Sequence, residues 1–229
     1  MENKRFISIA IDGPAGAGKS SVAKAVSKKM GYVYIDTGAM YRSVALYAIR
    51  NGIDTKNTDG KLESVLADIS IEIKHIDSQQ HVFLNGEDVS SLIRTPEVSM
   101  GASNVATVKC VRVKLVELQR EMAKKANVIM DGRDIATSVL PDANIKIFLT
   151  TTPEKRAKRR YDELIAKGEK VELEDVLADV KARDKNDSER KESPLRVADG
   201  ATVIDNGDMN LEQSVEYIYN FISEKLSKF

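Results

Sequence analysis

Along the chain, short segments with the composition of strands alternate with longer segments whose apolar residues have the spacing of helices. Segments rich in β-branched residues have the length of strands and several end in Asp, Gly or Thr; they are Phe6–Asp12, Tyr32–Asp36, Val128–Gly132, Ile145–Thr150 and Thr202–Asp205. Between them lie segments whose apolar residues recur at helical intervals. Strands that alternate with helices predict an α/β fold, a mainly parallel sheet covered by helices on both faces.

Three helical patterns are clear enough to place. The first runs from Ser20 to Met30. A second helix is marked by apolar residues at Val105, Val108, Leu115, Val116 and Met122. In the third pattern, apolar residues step by three or four positions, which predicts one apolar face on a helix near the end of the chain; they are Leu211, Val215, Ile218, Ile222 and Leu226.

One region breaks the alternation of strands and helices. Ile71–Ile76 and His81–Leu84 read as two strands joined by Asp77-Ser78-Gln79-Gln80, and Asn85-Gly86 is a turn signal directly after them. A local antiparallel hairpin inside a parallel α/β chain predicts an inserted subdomain over about residues 53–98.

Two Thr-Pro-Glu triplets predict helix starts, because Thr is a good N-cap and Pro suits the first helical position. They are Thr95-Pro96-Glu97 and Thr152-Pro153-Glu154. The helix that follows the second triplet carries Arg156, Arg159 and Arg160 at positions i, i+3 and i+4, so the three arginines share one face.

Composition narrows the class of protein. The 229 residues suit one large domain with an insertion, and 42% hydrophobic against 31% charged residues favours a packed core. Lys+Arg 35 balance Asp+Glu 35, which argues against bulk attraction to nucleic acid or an anionic membrane. A single cysteine, Cys110, excludes an internal disulfide framework. With no membrane-spanning or signal stretch, we expect a soluble protein in a reducing, intracellular setting.

The strongest motif follows the first predicted strand. Residues 13–20 match the G-x-x-x-x-G-K-[ST] phosphate loop in full, and a helical pattern comes next. Glycines let the backbone wrap around a polyphosphate, and the N–H groups at the helix start face the anion. Lys19 would place its charge on the transferred phosphate, and the Ser20 hydroxyl would ligate Mg²⁺. The predicted ATP-binding residues are Gly13, Pro14, Ala15, Gly16, Ala17, Gly18, Lys19, Ser20 and Ser21.

Arginines beside acidic residues indicate a second anionic substrate. Arg42, Arg133 and the stretch from Arg183 to Arg190 follow predicted strands or lie in polar segments, and the planar guanidinium suits phosphate recognition. In open α/β sheets, ligands bind at the carboxyl edge of the strands. Surface ion pairs remain the alternative interpretation for any single arginine. No Asn-Lys-x-Asp guanine-reading motif occurs, which argues against a switch GTPase.

Four motifs together resemble the bacterial cytidylate kinase family: Ile9–Ser20, Asp36–Arg42, Asp131–Ile135 and Ser193–Leu195. Asn85–Val89 and Ile93–Val98 also resemble that family's inserted nucleotide-binding subdomain. The resemblance spans nearly the whole chain. It implies one domain over residues 1–229 with the five-stranded parallel sheet of P-loop nucleoside monophosphate kinases, ATP-dependent phosphorylation of CMP and dCMP, and a cytoplasmic monomer.

The resemblance also implies roles for single residues. Ser103, Arg112 and Asp134 match residues that read the cytosine ring. The monophosphate is held by the counterparts of Arg42, Arg133 and Arg190. Asp187 matches the aspartate that contacts the ribose hydroxyls, Arg183 belongs to the same cluster, and Thr37 replaces a serine while keeping its hydroxyl. Ala136 departs from the family pattern, which has glycine there.

The lid implied by the resemblance covers about residues 153–170, and Arg156 and Arg160 are the arginines that we expect to act on the triphosphate. The nucleophile would be a phosphate oxygen of CMP, whose second pKa of about 6 leaves it largely ionised at neutral pH, so no general base is assigned. Catalysis then consists of alignment and charge stabilisation by Lys19, the arginines and Mg²⁺.

Two other functions stay open on the residues alone. One is a P-loop kinase that acts on UMP, AMP or a non-nucleotide acceptor, which an assay across monophosphates would reveal. The other is a regulatory nucleotide-binding module that hydrolyses its nucleotide slowly. Phosphoryl transfer that depends on an added monophosphate would separate an enzyme from that module.

Overall fold

The computed structural model describes residues 6–58, 60–76 and 79–228. The chain divides into two compact units. The first combines the residues up to Tyr34 with those from Ala123 onward, and the second covers Ile35–Met122. Residues 53–98, over which we expect an inserted subdomain, lie within the second unit, which extends beyond them on both sides.

The described residues form strands and helices in an alternating order interrupted by a hairpin. In chain order they are β1 (Ser8–Asp12), α1 (Lys19–Met30), β2 (Val33–Asp36), α2 (Thr37–Arg50), α3 (Lys61–Val65), β3 (Ile71–Ile76), β4 (Gln79–Leu84), β5 (Glu87–Asp88), α4 (Pro96–Val105), α5 (Lys109–Ala123), β6 (Val128–Gly132), β7 (Ile145–Thr150), α6 (Pro153–Ala166), α7 (Leu173–Glu189), β8 (Thr202–Asp205) and α8 (Leu211–Leu226). A π-helical turn at Ile135–Val139 follows β6.

The larger sheet has five strands in the order β2-β6-β1-β7-β8. Strand β1 pairs in parallel with β6 and β7, and β7 pairs in parallel with β8. Asp12 at the end of β1 is level with Gly132 of β6 and Phe148 of β7. The predicted α/β fold with a five-stranded parallel sheet is therefore confirmed, and the segments after these strands leave the sheet at one edge.

The core of the first unit follows from the apolar positions in its strands and helices. Strand β7 buries alternate residues, which include Ile147 and Leu149. Strand β6 is buried along its whole length, as expected for an inner strand of a parallel sheet. Val22 from α1 and Ile218 from α8 pack into the same cluster, so the periodic apolar faces of both helices cover the sheet.

Most predicted elements are present, with several starts shifted by one or two residues and one predicted helix divided in two. Strands β6, β7 and β8 and helix α8 have the predicted bounds, whereas β1 and β2 begin one or two residues later. The single helix expected through Val105 and Val108 is two helices. Helix α4 ends at Val105, and the Thr107 hydroxyl donates to the carbonyl of Asn104 (2.7 Å). Between the two helices, the backbone N–H groups of Thr107 and Val108 donate to carbonyls three residues back, those of Asn104 and Val105, so the α-helical bonding is interrupted and α5 starts only at Lys109.

The second unit contains a three-stranded antiparallel sheet in the order β3-β4-β5. Asn85 and Gly86 both have positive φ, 50° and 85°, as a tight hairpin turn requires, which confirms the predicted turn. Strand β4 begins at Gln79, two residues earlier than predicted. Asp77 and Ser78 of the predicted connection lie outside the described residues.

Helices α2, α4 and α5 supply most of the second unit's core. Met40 and Val44 of α2 are fully buried and belong to one cluster with Val105 and Leu115.

The predicted N-cap of α4 is confirmed, since the Thr95 hydroxyl accepts from the N–H of Val98.

The matching cap in the first unit is confirmed as well. The Thr152 hydroxyl accepts from the N–H of Lys155 (3.3 Å), and α6 starts at Pro153. Across residues 6–58, 60–76 and 79–228, no helix has the length and apolar character needed to cross a membrane.

Candidate active site

The phosphate loop connects β1 to α1 and depends on its glycines. Gly13 has a φ of 146°, and a Cβ there would lie 2.0 Å from the carbonyl oxygen of Leu149, so the loop passes against the end of β7 where no side chain fits. Gly18 occupies the N-cap of α1 with a φ of 82°. The loop therefore delivers the start of α1, with its free N–H groups, to the carboxyl edge of the sheet.

Lys19 is the first residue of α1 and is buried. Its ammonium donates to the carbonyl of Pro14 at 2.7 Å, across the loop. Burial, together with the charge of Arg133, lowers the pKa of Lys19 to about 7, although Asp131 and Asp12 oppose the shift. A cation with a lowered pKa beside a phosphate-binding loop gains its full charge when an anion arrives.

Asp12 ends β1 beneath the loop and organises the segment after β6. Its carboxylate accepts from the N–H groups of Ile135 (2.8 Å) and Ala136 (2.7 Å). Burial raises the pKa of Asp12 to about 6, against the lowering effect of these two bonds. Ala136 lies in the π-helical turn, and the described non-glycine residues with positive φ are Asn85 and Ser193, so alanine fits at Ala136 without strain.

Asp131 is a candidate that the sequence reasoning missed. It is buried at the carboxyl end of β6 and accepts from the Ser20 hydroxyl (2.7 Å) and the Tyr34 hydroxyl (2.9 Å). The sequence does contain a signal for it, since an aspartate at the end of an apolar strand indicates a candidate site residue at the carboxyl edge of the sheet. The Ser20 and Asp131 oxygens fit Mg²⁺, which binds few protein oxygens and completes its shell with water and phosphate.

Arg133 and Asp187 form an ion pair at the same edge. Nε of Arg133 donates to the carboxylate of Asp187 at 2.8 Å. Burial opposes the charge of Arg133, but Asp187 together with Asp131 and Asp12 outweighs it and raises the pKa of the guanidinium. Burial likewise opposes the charge of Asp187, but Arg133, Arg183 and Arg190 outweigh it and lower the pKa of the carboxyl. Both groups are therefore charged at neutral pH.

Arg190 lies at the end of α7 and reaches Asp134. Nη2 of Arg190 is 3.4 Å from Asp134 Oδ1, and its Nε donates to the carbonyl of Ser193 at 2.7 Å. Both side chains are almost completely buried, with 4% and 7% exposure. The first unit thus brings together Lys19 with five other predicted site residues, which are Ser20, Arg133, Asp134, Asp187 and Arg190.

Arg156 on α6 is buried and forms hydrogen bonds to three parts of the first unit, which are helix α7, the phosphate loop and the end of β7. Its guanidinium binds Asp184 of α7 through two nitrogens (2.9 and 2.5 Å). It also donates to the carbonyl of Ala15 in the phosphate loop (3.0 Å) and to that of Thr151 after β7 (3.1 Å). The sequence does not predict a role for Asp184, because its partner Arg156 lies 28 residues away along the chain.

The other two arginines of α6 have separate partners. Arg159 donates to the carbonyl of Asn206 (2.8 Å), and the Asn206 amide donates to the carbonyl of Ala17 in the loop (3.0 Å). Arg160 is paired with Glu163 at the exposed side of the helix. The three arginines on one predicted helix face thus have three different surroundings.

In the second unit, Asp36 and Arg42 frame the start of α2. The Asp36 carboxylate caps the helix by accepting from the N–H of Ala39 (2.9 Å), and it accepts from Arg42 at 2.7 Å. Thr37 is the buried first residue of the helix. The ion pair holds Arg42 back against its own helix start, where the N–H groups also favour anions.

Ser103 on α4 and Arg112 on α5 are also buried in the second unit. The guanidinium carbon of Arg112 lies 5.9 Å from the centre of the Tyr41 ring, which places a cation over an aromatic face. Tyr41 belongs to α2, one position before Arg42. The unit therefore presents buried polar groups inside an otherwise apolar core.

The chain is similar to known proteins over most of its length. A protein-family model described as "Cytidylate kinase" matches residues 9–224. The chain is 50% identical to the cytidylate kinase of Caldicellulosiruptor bescii over 212 residues (93% of both chains), and 48% identical to that of Bacillus cereus over 222 residues (97% of this chain, 98% of the other). Among solved structures, it is similar to a shikimate kinase from Bacteroides thetaiotaomicron, with 13% identity and a TM-score of 0.50 over 95% of this chain and 98% of that chain. That likeness concerns the fold alone.

Proposed function

Since the chain belongs to the cytidylate kinase family, we propose that it transfers the γ-phosphate of ATP to CMP and dCMP. A phosphate oxygen of the acceptor attacks the γ-phosphorus, the bond from that phosphorus to the bridging oxygen breaks, and ADP leaves with the electron pair. The products are ADP with CDP or dCDP. The family match over residues 9–224 supports the reaction, and the buried charge cluster around Lys19 is the structural observation that carries it.

On the donor side, the phosphate loop would bind ATP through its backbone N–H groups. Lys19 would leave the Pro14 carbonyl and donate to the phosphates, whose negative charge favours its protonated form. Ser20 and Asp131 would hold Mg²⁺, and the ion would neutralise phosphate charge. The loop is held in place meanwhile by Arg156 and Asn206, which bind its carbonyl groups.

On the acceptor side, arginines would hold the phosphate of CMP. Arg133 and Arg190 of the first unit and Arg42 of the second each carry a guanidinium already paired with an aspartate. Those partners keep the arginines oriented before substrate arrives, which reduces the entropy lost on binding. Asp187, supported by Arg183, would accept from the ribose hydroxyls. The acceptor phosphate is already ionised near neutral pH, since its second pKa is about 6, so no base is required.

The cytosine ring would be read by Ser103, Arg112 and Asp134. Cytosine has an N4 amine that donates, whereas uracil has an O4 that accepts, so a carboxylate such as Asp134 favours cytosine and repels uracil. Asp134 is buried, with 5% exposure, and a buried polar group left unpaired by the wrong base costs substantial binding energy.

Arg156 and Arg160 are the proposed lid arginines over the triphosphate. Arg156 touches the loop through the Ala15 carbonyl, and to contact a phosphate bound there it would have to give up that bond or one of its bonds to Asp184. Arg160 is on the exposed side of α6 and would need to leave Glu163. We further propose that the lid comprises residues 153–170 and that the protein acts as a cytoplasmic monomer.

The experiment is an acceptor panel with ATP and Mg²⁺. ADP formation is measured with CMP, dCMP, UMP and AMP, and without any acceptor. CMP and dCMP should give kcat/KM at least about 10²-fold above UMP and AMP. Preference for another monophosphate would reject the acceptor assignment. Slow hydrolysis at a rate that no acceptor changes would instead identify a regulatory nucleotide-binding module.

A further inference from the structure

The segment after α7 contains a backbone conformation that its sequence does not favour. Ser193 has a φ of 49°. Left-handed backbone costs little at glycine or asparagine but is uncommon for serine, and Ser193 also precedes Pro194, where an extended conformation is preferred. Such strain persists only where the surrounding structure holds it, and it is concentrated at functional sites.

Two hydrogen bonds hold the segment around Ser193, one from the side chain of Arg190 directly after α7 and one to the backbone of Asp187 in the last turn of that helix. The carbonyl oxygen of Ser193 accepts from Nε of Arg190 at 2.7 Å. The N–H of Leu195 donates to the carbonyl of Asp187 at 2.8 Å, so residues 190–195 fold back over the end of the helix. Both residues contacted, Arg190 and Asp187, are proposed to bind the acceptor nucleotide.

We propose that Ser193-Pro194-Leu195 is a positioning turn for Arg190. The left-handed backbone at Ser193 aims a carbonyl at Nε of Arg190, which fixes the plane of a buried guanidinium and directs its terminal nitrogens toward Asp134 and the acceptor phosphate. An arginine held in this way loses less freedom when it binds a phosphate. This inference rests on the proposed function, because it assumes that Arg190 binds CMP.

The backbone carbonyl of Ser193, and not its hydroxyl, accepts the bond from Arg190. A substitution at Ser193 should therefore affect Arg190 only through the φ that the new residue tolerates. Ser193→Gly and Ser193→Asn accept a positive φ and should keep the KM for CMP within about twofold of the unaltered enzyme. Ser193→Val should raise that KM roughly tenfold, because a β-branched residue resists this conformation, with Ser193→Ala between the two. We expect the KM for ATP and kcat to change by less than about threefold.

Gly200 offers a matched control in the same connection. It has a φ of 75°, and a Cβ there would meet nothing within 4 Å. Gly200→Val therefore introduces comparable backbone strain away from Arg190. Thermal unfolding measures the stability of the Ser193→Val and Gly200→Val proteins. If Ser193→Val does not fold, the KM for CMP is measured with Ser193→Ala instead. We expect Gly200→Val to lower the unfolding temperature without raising the KM for CMP.

A double-mutant cycle tests whether the turn acts through Arg190. In an Arg190→Ala background, Ser193→Val should add no further increase in the KM for CMP. The inference is overturned if Ser193→Val leaves that KM unchanged, if Gly200→Val raises it equally, or if the increase persists without Arg190. Failure of the proposed function looks different, since the unaltered protein would then not phosphorylate CMP at all.

Discussion

The two compact units hold their buried charges in different ways. In the first, acidic and basic groups lie close enough to shift one another's ionisation, as with Lys19, Arg133 and Asp187. In the second, buried polar groups are surrounded by a large apolar cluster, as with Arg112 over Tyr41. The comparison teaches that charge is concentrated in the unit that carries the phosphate loop, while apolar packing shapes the unit that contains Ser103 and Arg112, two of the three residues proposed to read the base.

The largest expected effect comes from removing the central cation of the first unit. Lys19→Ala should lower kcat about 10²- to 10³-fold, because the loss concerns charge stabilisation in the transition state. Steady-state kinetics at saturating substrates measures it. Lys24→Ala, on the exposed side of the same helix, is the matched control and should change little. Near-normal turnover of the Lys19 variant would contradict the mechanism.

In the second unit, a charge removed at Arg42 should act on binding. Arg42→Met is expected to lower kcat/KM for CMP roughly 30- to 100-fold, mainly through KM, since the charge would contact the phosphate in both ground and transition states. Arg50 lies on the same helix and pairs with Glu87 at the surface, so Arg50→Met is the control. Equal losses in the two variants would mean that Arg42 only stabilises the helix.

Asp184 tests whether buried charge pairs stabilise the first unit. Asp184→Asn leaves the buried Arg156 without its counter-charge, and we expect the free energy of unfolding to fall by about 2 to 3 kcal/mol. Denaturant titration measures the loss. Glu163→Gln, which alters the exposed pair with Arg160, should cost less than about 1 kcal/mol. If both substitutions lower the free energy of unfolding equally, burial of the Arg156–Asp184 pair does not determine its contribution to stability.

The smallest effect is a proton taken up on ATP binding. The pKa of Lys19 is lowered to about 7 in the free protein, and nearby phosphates should raise it toward the ordinary value. Lys19 is therefore mostly neutral at pH 8 before binding and protonated after it, so most of a proton is taken up, and little uptake occurs below about pH 6. Calorimetry at pH 8 in buffers of different ionisation enthalpy measures the uptake. The Lys19→Ala protein should show less uptake, and identical values for both proteins would reject the assignment to Lys19.

Much of the fold was predictable because its signals are local. The phosphate loop, the strands β6 to β8, the two Thr-Pro helix starts and the Asn85-Gly86 turn each depend on the intrinsic preferences of a few neighbouring residues. The failure at Val105–Val108 is instructive, since apolar spacing continues there while the backbone N–H groups of Thr107 and Val108 bond three residues back and interrupt the helix. Periodicity records which positions are buried and does not report where a helix stops.

The sequence by itself determined that the chain has a nucleotide-phosphate loop at the end of the first strand of an α/β sheet, and it supplied the arginines. Only the tertiary structure decided their partners: Arg133 with Asp187, Arg156 with Asp184 and Ser20 with Asp131, pairs separated by 28 to 111 residues. Strand order and helix packing bring these side chains together, and no local preference encodes either. Burial then sets their charge, because the free energy of an ionised group depends on the neighbours that replace its water.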